Sequence, residues 1–232
     1  MNNTKLKEFV KFTSKQPLGF AYKTDGKPAN KSSQGPDKAC LLEKIKKAFA
    51  SCSQCPLATQ GRKQVVFGEG SPSAELMFVG EGPGRDEDKN GRPFVGRAGK
   101  LLDKIILAMG LTREQVYISN AVKCRPPNNR TPLPDESNAC MNLILKKELE
   151  IINPKIICAL GSTAAKAMLG EQTKISSARG EFFNKENRLV MPTYHPAYLL
   201  RNPSAKAEVW KDMLKICEKL GIKAPGPSNE KA

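Results

Sequence analysis

A single histidine stands among 232 residues, and aromatic residues make up only 6% of the chain. One imidazole leaves little room for a histidine-rich metal site. No apolar run approaches the roughly 18 residues that a membrane span requires, so no membrane partner is expected. The opening residues MNNTKLKEFVKFTSKQ are basic but hold neither an apolar stretch nor a small-residue cleavage site, the marks of a secretory leader. The chain is therefore expected in the cytoplasm, where thiols stay reduced. There, seven cysteines read as buried thiols, metal ligands or nucleophiles and not as a disulfide framework. Acidic residues are also scarce, 23 against 38 Lys and Arg, for a net charge of +15.

At 39% hydrophobic and 26% charged, the composition is that of a globular protein with one sizeable core or two small ones. The charge is unevenly placed. Residues 1–63 hold 13 Lys and Arg against 4 Asp and Glu, net +9, and the other 169 residues hold 25 against 19, net +6. With no amphipathic apolar face beside it, this excess points to nucleic acid before membrane. Residues 1–38, rich in Lys, Ser, Asn, Gly and Pro, read as a basic mobile arm. A folded domain is expected over 39–222, with a flexible tail over 223–232.

Within that domain short β-rich runs alternate with helical ones. Glu75–Val79, Val116–Val122, Lys155–Leu160 and Leu189–Tyr194 are the strand candidates. Apolar residues recur every three to four positions over Lys38–Ala50, Gly96–Met109, Pro134–Ile152, Ser162–Leu169 and Lys206–Leu220. This alternation predicts an α/β fold, a three-layer α/β/α sandwich around a central, mainly parallel four-stranded sheet. Ligands of such sheets bind at the carboxyl ends of the strands. The loops there are GEGPGRDED, KCRPPNNRTP, GST and HPAYLLRNPS, and every unusual residue falls in the first, second and fourth.

GEGPG, from Gly80 to Gly84, lets backbone approach a ligand closely. It is no phosphate loop: GRAGKL lacks the required spacing and the Ser or Thr, and Arg85 stands where a dinucleotide fingerprint needs its last Gly. Glu81 places a carboxylate beside that exposed backbone. The triplet Asp86, Glu87 and Asp88 fits either a divalent-metal site or a solvated helix start. His195 ends the fourth strand, and Pro196 fixes the turn that aims the ring. Asn120, at the end of the second strand, either satisfies neighbouring backbone or reads the hydrogen-bonding edge of a ligand. CSQCPL supplies a two-thiol clamp, Cys52 and Cys55, which Cys124 and Cys140 could complete. Spacing leaves zinc and an iron–sulfur cluster open. Cys40, Cys158 and Cys217 sit at apolar positions and read as packing thiols.

Taken together, CSQCPL, GEGPGRDEDKNGRPFVGRAGKLLDKIILAMGL, VYISNAVKCRPPNNRTPLPDE, IICALGSTAAKAMLG and HPAYLLRNPS resemble family 4 of the uracil-DNA glycosylases, the iron–sulfur members of that superfamily. The resemblance runs in order over roughly residues 41–216. It implies a structural 4Fe-4S cluster on Cys52, Cys55, Cys124 and Cys140. It implies a uracil pocket of Glu81, Phe94, Asn120 and His195, with Glu87 near the uracil C5 edge. Gly82 stands where better-known members of the superfamily carry a water-positioning Asp, which shifts that task to Glu81 or to backbone.

The expected activity is that of a monofunctional glycosylase in base excision repair, a monomer acting on uracil in single- or double-stranded DNA. It flips the base out of the stack and hydrolyses the glycosidic bond. Catalysis is assigned to Glu81, Asn120 and His195, and Leu199, Leu200 and Arg201 are assigned to the vacated stack. The alternative is a binding protein, non-catalytic or covalently trapping. Trapping relatives use an extra His in the loop matching Arg125–Pro134, which here contains none.

Overall fold

Helix α1 (Lys38–Phe49) begins where the apolar periodicity begins, capped by Asp37, whose carboxylate accepts from Ala39 N at 3.0 Å. In this computed structural model, residues 37–226 are described. The basic arm expected over 1–38 therefore lies outside the described residues except for Asp37 and Lys38, as does the tail beyond position 226. Lys38 already belongs to the folded body, since its ammonium donates to Ile152 O at 2.9 Å.

The strands are β1 (Glu69–Gly70), β2 (Leu76–Gly80), β3 (Tyr117–Asn120), β4 (Ile156–Leu160), β5 (Phe183–Lys185) and β6 (Arg188–Thr193). Beyond α1, the helices are α2 (Arg85–Asn90), α3 (Arg97–Ala108), α4 (Pro134–Cys140), α5 (Lys146–Ile152), α6 (Gly161–Leu169), α7 (Ile175–Ala178), α8 (Pro196–Arg201) and α9 (Lys206–Leu220). The sheet order is β1-β3-β2-β4-β6-β5. The four expected strands form its parallel centre, and β1 and β5 add antiparallel edges. Among the described residues the sheet thus has six strands where four were expected, because edge strands of two and three residues carry no readable periodicity.

Successive residues along a strand face opposite layers. Leu76, Phe78, Ile118, Ile156 and Cys158 pack with Leu102, Ile105 and Ile106 of α3 and Val209, Trp210 and Met213 of α9. Their neighbours Met77, Val79, Tyr117, Ile157 and Ala159 pack with Leu42, Leu149, Ala164 and Met168 from α1, α5 and α6. These two cores make the α/β/α sandwich, and they explain why β2, β3 and β4 are buried throughout.

The helix expected over Pro134–Ile152 is interrupted by a π-helical turn, Met141–Leu145, directly after Cys140. Cys158 and Cys217 are buried as expected of packing thiols, but Cys40 is exposed, off the stripe of α1 that buries Leu42 and Ile45. Among the described residues no helix is long and apolar enough to cross a membrane.

Candidate active site

The parallel strands bring their carboxyl ends to one edge of the sheet. Glu81 follows β2, Asn120 ends β3, Thr163 lies in the turn that opens α6 after β4, and His195 joins β6 to α8. A cleft of about 210 Å³ opens there. Ligand pockets usually measure roughly 300–1,000 Å³, so this one suits a single small ring better than a whole nucleotide. Glu81, Gly82, Glu87, Phe94, Asn120 and His195 all line it, joined by Pro126, Asn129 and Arg130 from the loop after β3. The glycines of the turn are set by contact. A Cβ on Gly80 would stand 2.5 Å from Asn120 Oδ1, and one on Gly82 would meet Val122 Cγ2 at 2.6 Å. A side chain at position 82 would therefore displace Val122.

His195 is half-buried, and its Nδ1 accepts from Ala197 N at 3.1 Å. The proton of the neutral ring is thereby assigned to Nε2. Burial, reinforced by the positive charge of Arg201, pushes its pKa down to about 4, so the ring is a neutral donor at pH 7. The Phe94 ring lies 5.6 Å from it, centroid to centroid, tilted by 30°. Phe94 has φ +53°, an uncommon backbone state for a bulky residue. Arg113 fixes it by donating to the carbonyls of Phe94, at 3.2 Å, and Pro93, while pairing with Asp103 at 2.8 Å and Glu69 at 2.6 Å.

Asn120 is 2% exposed, and its Oδ1 is buried without a hydrogen-bond partner among the described residues. Such an acceptor is costly to leave unpaired, and a ligand N–H entering the cleft would satisfy it. Behind it, Asn120 O accepts from Lys123 Nζ at 2.8 Å, and the same ammonium lies 2.7 Å from Glu148 Oε2 and 2.5 Å from Ser119 Oγ. The Lys123 side chain is wholly buried and that of Glu148 nearly so. Thr163 Oγ1, from the first turn of α6, donates to Glu81 Oε2 at 2.5 Å.

Cys52, Cys55, Cys124 and Cys140 come together around a second, much smaller cavity walled by Val65, Leu143 and Ile144. Among the described residues no three His, Cys, Asp or Glu side chains are close enough to share one metal ion; the four thiols surround a space instead of meeting at a point. Burial pushes the Cys124 thiol up to about 11 and the Cys140 thiol up to about 12, with neighbouring thiols adding to both shifts. Lys123 N donates to Cys140 Sγ at 3.2 Å, and Arg62, held to Cys52 O at 2.6 Å, has a buried Nη1 without a hydrogen-bond partner among the described residues. An all-sulfur donor set in an apolar wall, with spare N–H donors beside it, fits a soft, thiolate-bound metal group.

A sequence profile described as the Uracil DNA glycosylase superfamily matches residues 67–214. The chain belongs to this superfamily. It is 49% identical over 166 residues to the type-4 uracil-DNA glycosylase of Thermotoga maritima, covering 71% of this chain and 85% of the relative. Identity to the type-4 uracil-DNA glycosylase of Sulfurisphaera tokodaii is 48% over 186 residues, 76% of this chain and 84% of the relative. That of Archaeoglobus fulgidus is 42% identical over 192 residues, 79% of this chain and 96% of the relative.

In this member of the uracil DNA glycosylase superfamily, the expectations for the acidic triplet and for Leu199 change on the structure. Glu87 lines the cleft, but its carboxylate accepts from Gly84 N at 3.1 Å, Val95 N at 2.9 Å and Gly96 N at 2.8 Å, which ties the Glu81 turn to the Phe94 loop. Asp88 is buried and accepts from Lys63 N at 2.8 Å. Glu87 and Asp88 are therefore loop fasteners in the first turn of α2, whereas Asp86 is exposed there, as a solvated helix start is. Leu199 is fully buried in the core, so it cannot fill a vacated base stack. On the surface of α8 stand Leu200, 44% exposed, and Arg201, with Tyr198 beside them. Thr163, Arg113 and the Lys123–Glu148 pair were not read from sequence. The only signal for Thr163 was a hydroxyl just past a strand end.

Proposed function

We propose that this chain flips uracil out of DNA and hydrolyses its glycosidic bond, leaving an abasic site. The observation that carries this reading is the buried, partnerless Oδ1 of Asn120 in a cleft sized for one ring, with neutral His195 and Phe94 in the same cleft. The Watson–Crick edge of uracil offers an N–H to that oxygen and a carbonyl to the amide nitrogen, whereas cytosine presents the reverse pattern and leaves buried groups unpaired. Thymine is to be excluded sterically at its methyl group. Phe94 supplies a stacking face for the flipped ring.

When the bond from the sugar C1′ to the base N1 breaks, its electron pair leaves with uracil and positive charge develops on the sugar. His195 Nε2–H donates to the uracil O2 and stabilises the departing anion, as a preorganised oxyanion donor does. Water attacks C1′, held by Glu81, which accepts its proton or offsets the charge of the sugar. Basic surface and the arm of residues 1–38 contribute phosphate contacts that offset the flipping cost, and Leu200 with Arg201 occupies the vacated stack.

In this reading residues 39–222 act as a monomer. The substrate is uracil-containing DNA, single- or double-stranded, and the site of action is the cytoplasm. Cys52, Cys55, Cys124 and Cys140 hold a 4Fe-4S cluster, which when bound ties the N-terminal clamp to the loop after β3 and takes no part in bond cleavage. The test is an oligonucleotide with one uracil, incubated without Mg²⁺. Free uracil and an abasic site are expected. Tight binding without product would overturn the enzyme reading in favour of a binding module.

A further inference from the structure

The turn Gly161–Thr163 touches both sides of the catalytic cleft, although its residues are of ordinary type. Gly161 has φ +89°, and a Cβ there would stand 3.0 Å from His195 Cβ, so this glycine lets the turn lie directly against the imidazole. Two residues on, Thr163 Oγ1 donates to Glu81 Oε2 at 2.5 Å across 82 residues of sequence. Both partners of that bond are half-buried, which limits competition from water. The last torsion of a glutamate is broad and weakly restrained. A lone Glu81 would sample many carboxylate orientations, while a hydroxyl bonded to one oxygen selects a single one.

We infer that Thr163 is a positioning residue for uracil excision, orienting the Glu81 carboxylate so that its second oxygen holds the attacking water; this rests on the glycosylase reading above. Thr163 touches neither the base nor the sugar in this scheme and acts through Glu81 alone. Its loss should therefore change the bond-breaking step and leave DNA binding as it was.

The experiment compares wild type, Thr163→Val, Thr163→Ser, Glu81→Ala and the Thr163→Val/Glu81→Ala double variant. Single-turnover uracil release and the affinity for a uracil-containing oligonucleotide are measured on each. Thr163→Val is expected to slow release about tenfold with unchanged affinity, and Thr163→Ser, which keeps the hydroxyl, to return to within about twofold of wild type. In the Glu81→Ala background Thr163→Val should have no further effect. A wild-type rate in Thr163→Val, a failure of Thr163→Ser to restore it, or an equal loss with and without Glu81 would each overturn the inference. Should Thr163→Val fold poorly, Thr163→Ala replaces it, alone and with Glu81→Ala, and a wild-type rate in Thr163→Ala overturns the inference in the same way. Wild-type protein that releases no uracil would sink the glycosylase reading itself, whereas active wild type with indifferent Thr163 variants sinks only this inference.

Discussion

Ala197 N donates to His195 Nδ1 at 3.1 Å, which assigns the proton of the only imidazole in the chain to Nε2. That ring stands two residues past β6 and caps α8, so its orientation is set by the backbone it bonds to. Because the chain has one histidine, untagged protein should give a single set of imidazole resonances. Their midpoint is expected near pH 4, the direction that burial and Arg201 impose. A midpoint above 6 would contradict a neutral donor. The folded pKa lies below the unfolded value of about 6.5, so between those limits the unfolded chain binds more protons. Stability should then fall as pH drops from about 6.5 to about 4, with no contribution from this group above that range. His195→Gln should lose that segment of the pH dependence, as followed by melting temperature.

His195→Ala should cost far more in rate than in binding. A preorganised donor to a leaving anion acts on charge that is present only in the transition state, and losing one typically costs about 10²–10³ in rate. Single-turnover release set beside oligonucleotide affinity separates the two effects, and an equal loss in both would contradict the assigned role.

Lys123 and Glu148 form a buried ion pair directly behind Asn120. Removing one partner leaves an uncompensated charge in the core, so Lys123→Met is expected to destabilise the fold by about 3–5 kcal/mol in urea unfolding. Replacing both, as Lys123→Met with Glu148→Leu, should recover much of that loss. A single variant costing less than about 1 kcal/mol would show that the pair is not the support of the strand end.

Cys55→Ser tests the four-thiol cavity. With its full ligand set, protein purified without oxygen should show the broad brown absorption of an iron–sulfur centre; the variant should lose it and melt at a lower temperature. A soluble and fully coloured variant would refute the assigned ligands.

The sequence by itself determined the elements and the chemistry at their ends. Short β-rich apolar runs and period-3.6 patterns are local properties of the chain, so they placed the four parallel strands and most helices within a few residues, and with them Glu81, Asn120 and His195 at strand ends. The two edge strands were too short to leave a pattern. Tertiary structure decided what depends on partners distant in sequence or on the rotation of one helix against another. Thr163 meets Glu81 across 82 residues, and Arg113 meets Glu69 across 44, through side chains of common type that nothing nearby marks out. Leu199 and Leu200 are adjacent in sequence, yet one is buried in the core and the other exposed. Successive helical side chains point about 100° apart, so the docking of α8 against the core chooses between them. The four thiols follow the same rule: their spacing was local, but only the fold closes two loops and a helix end around one cavity.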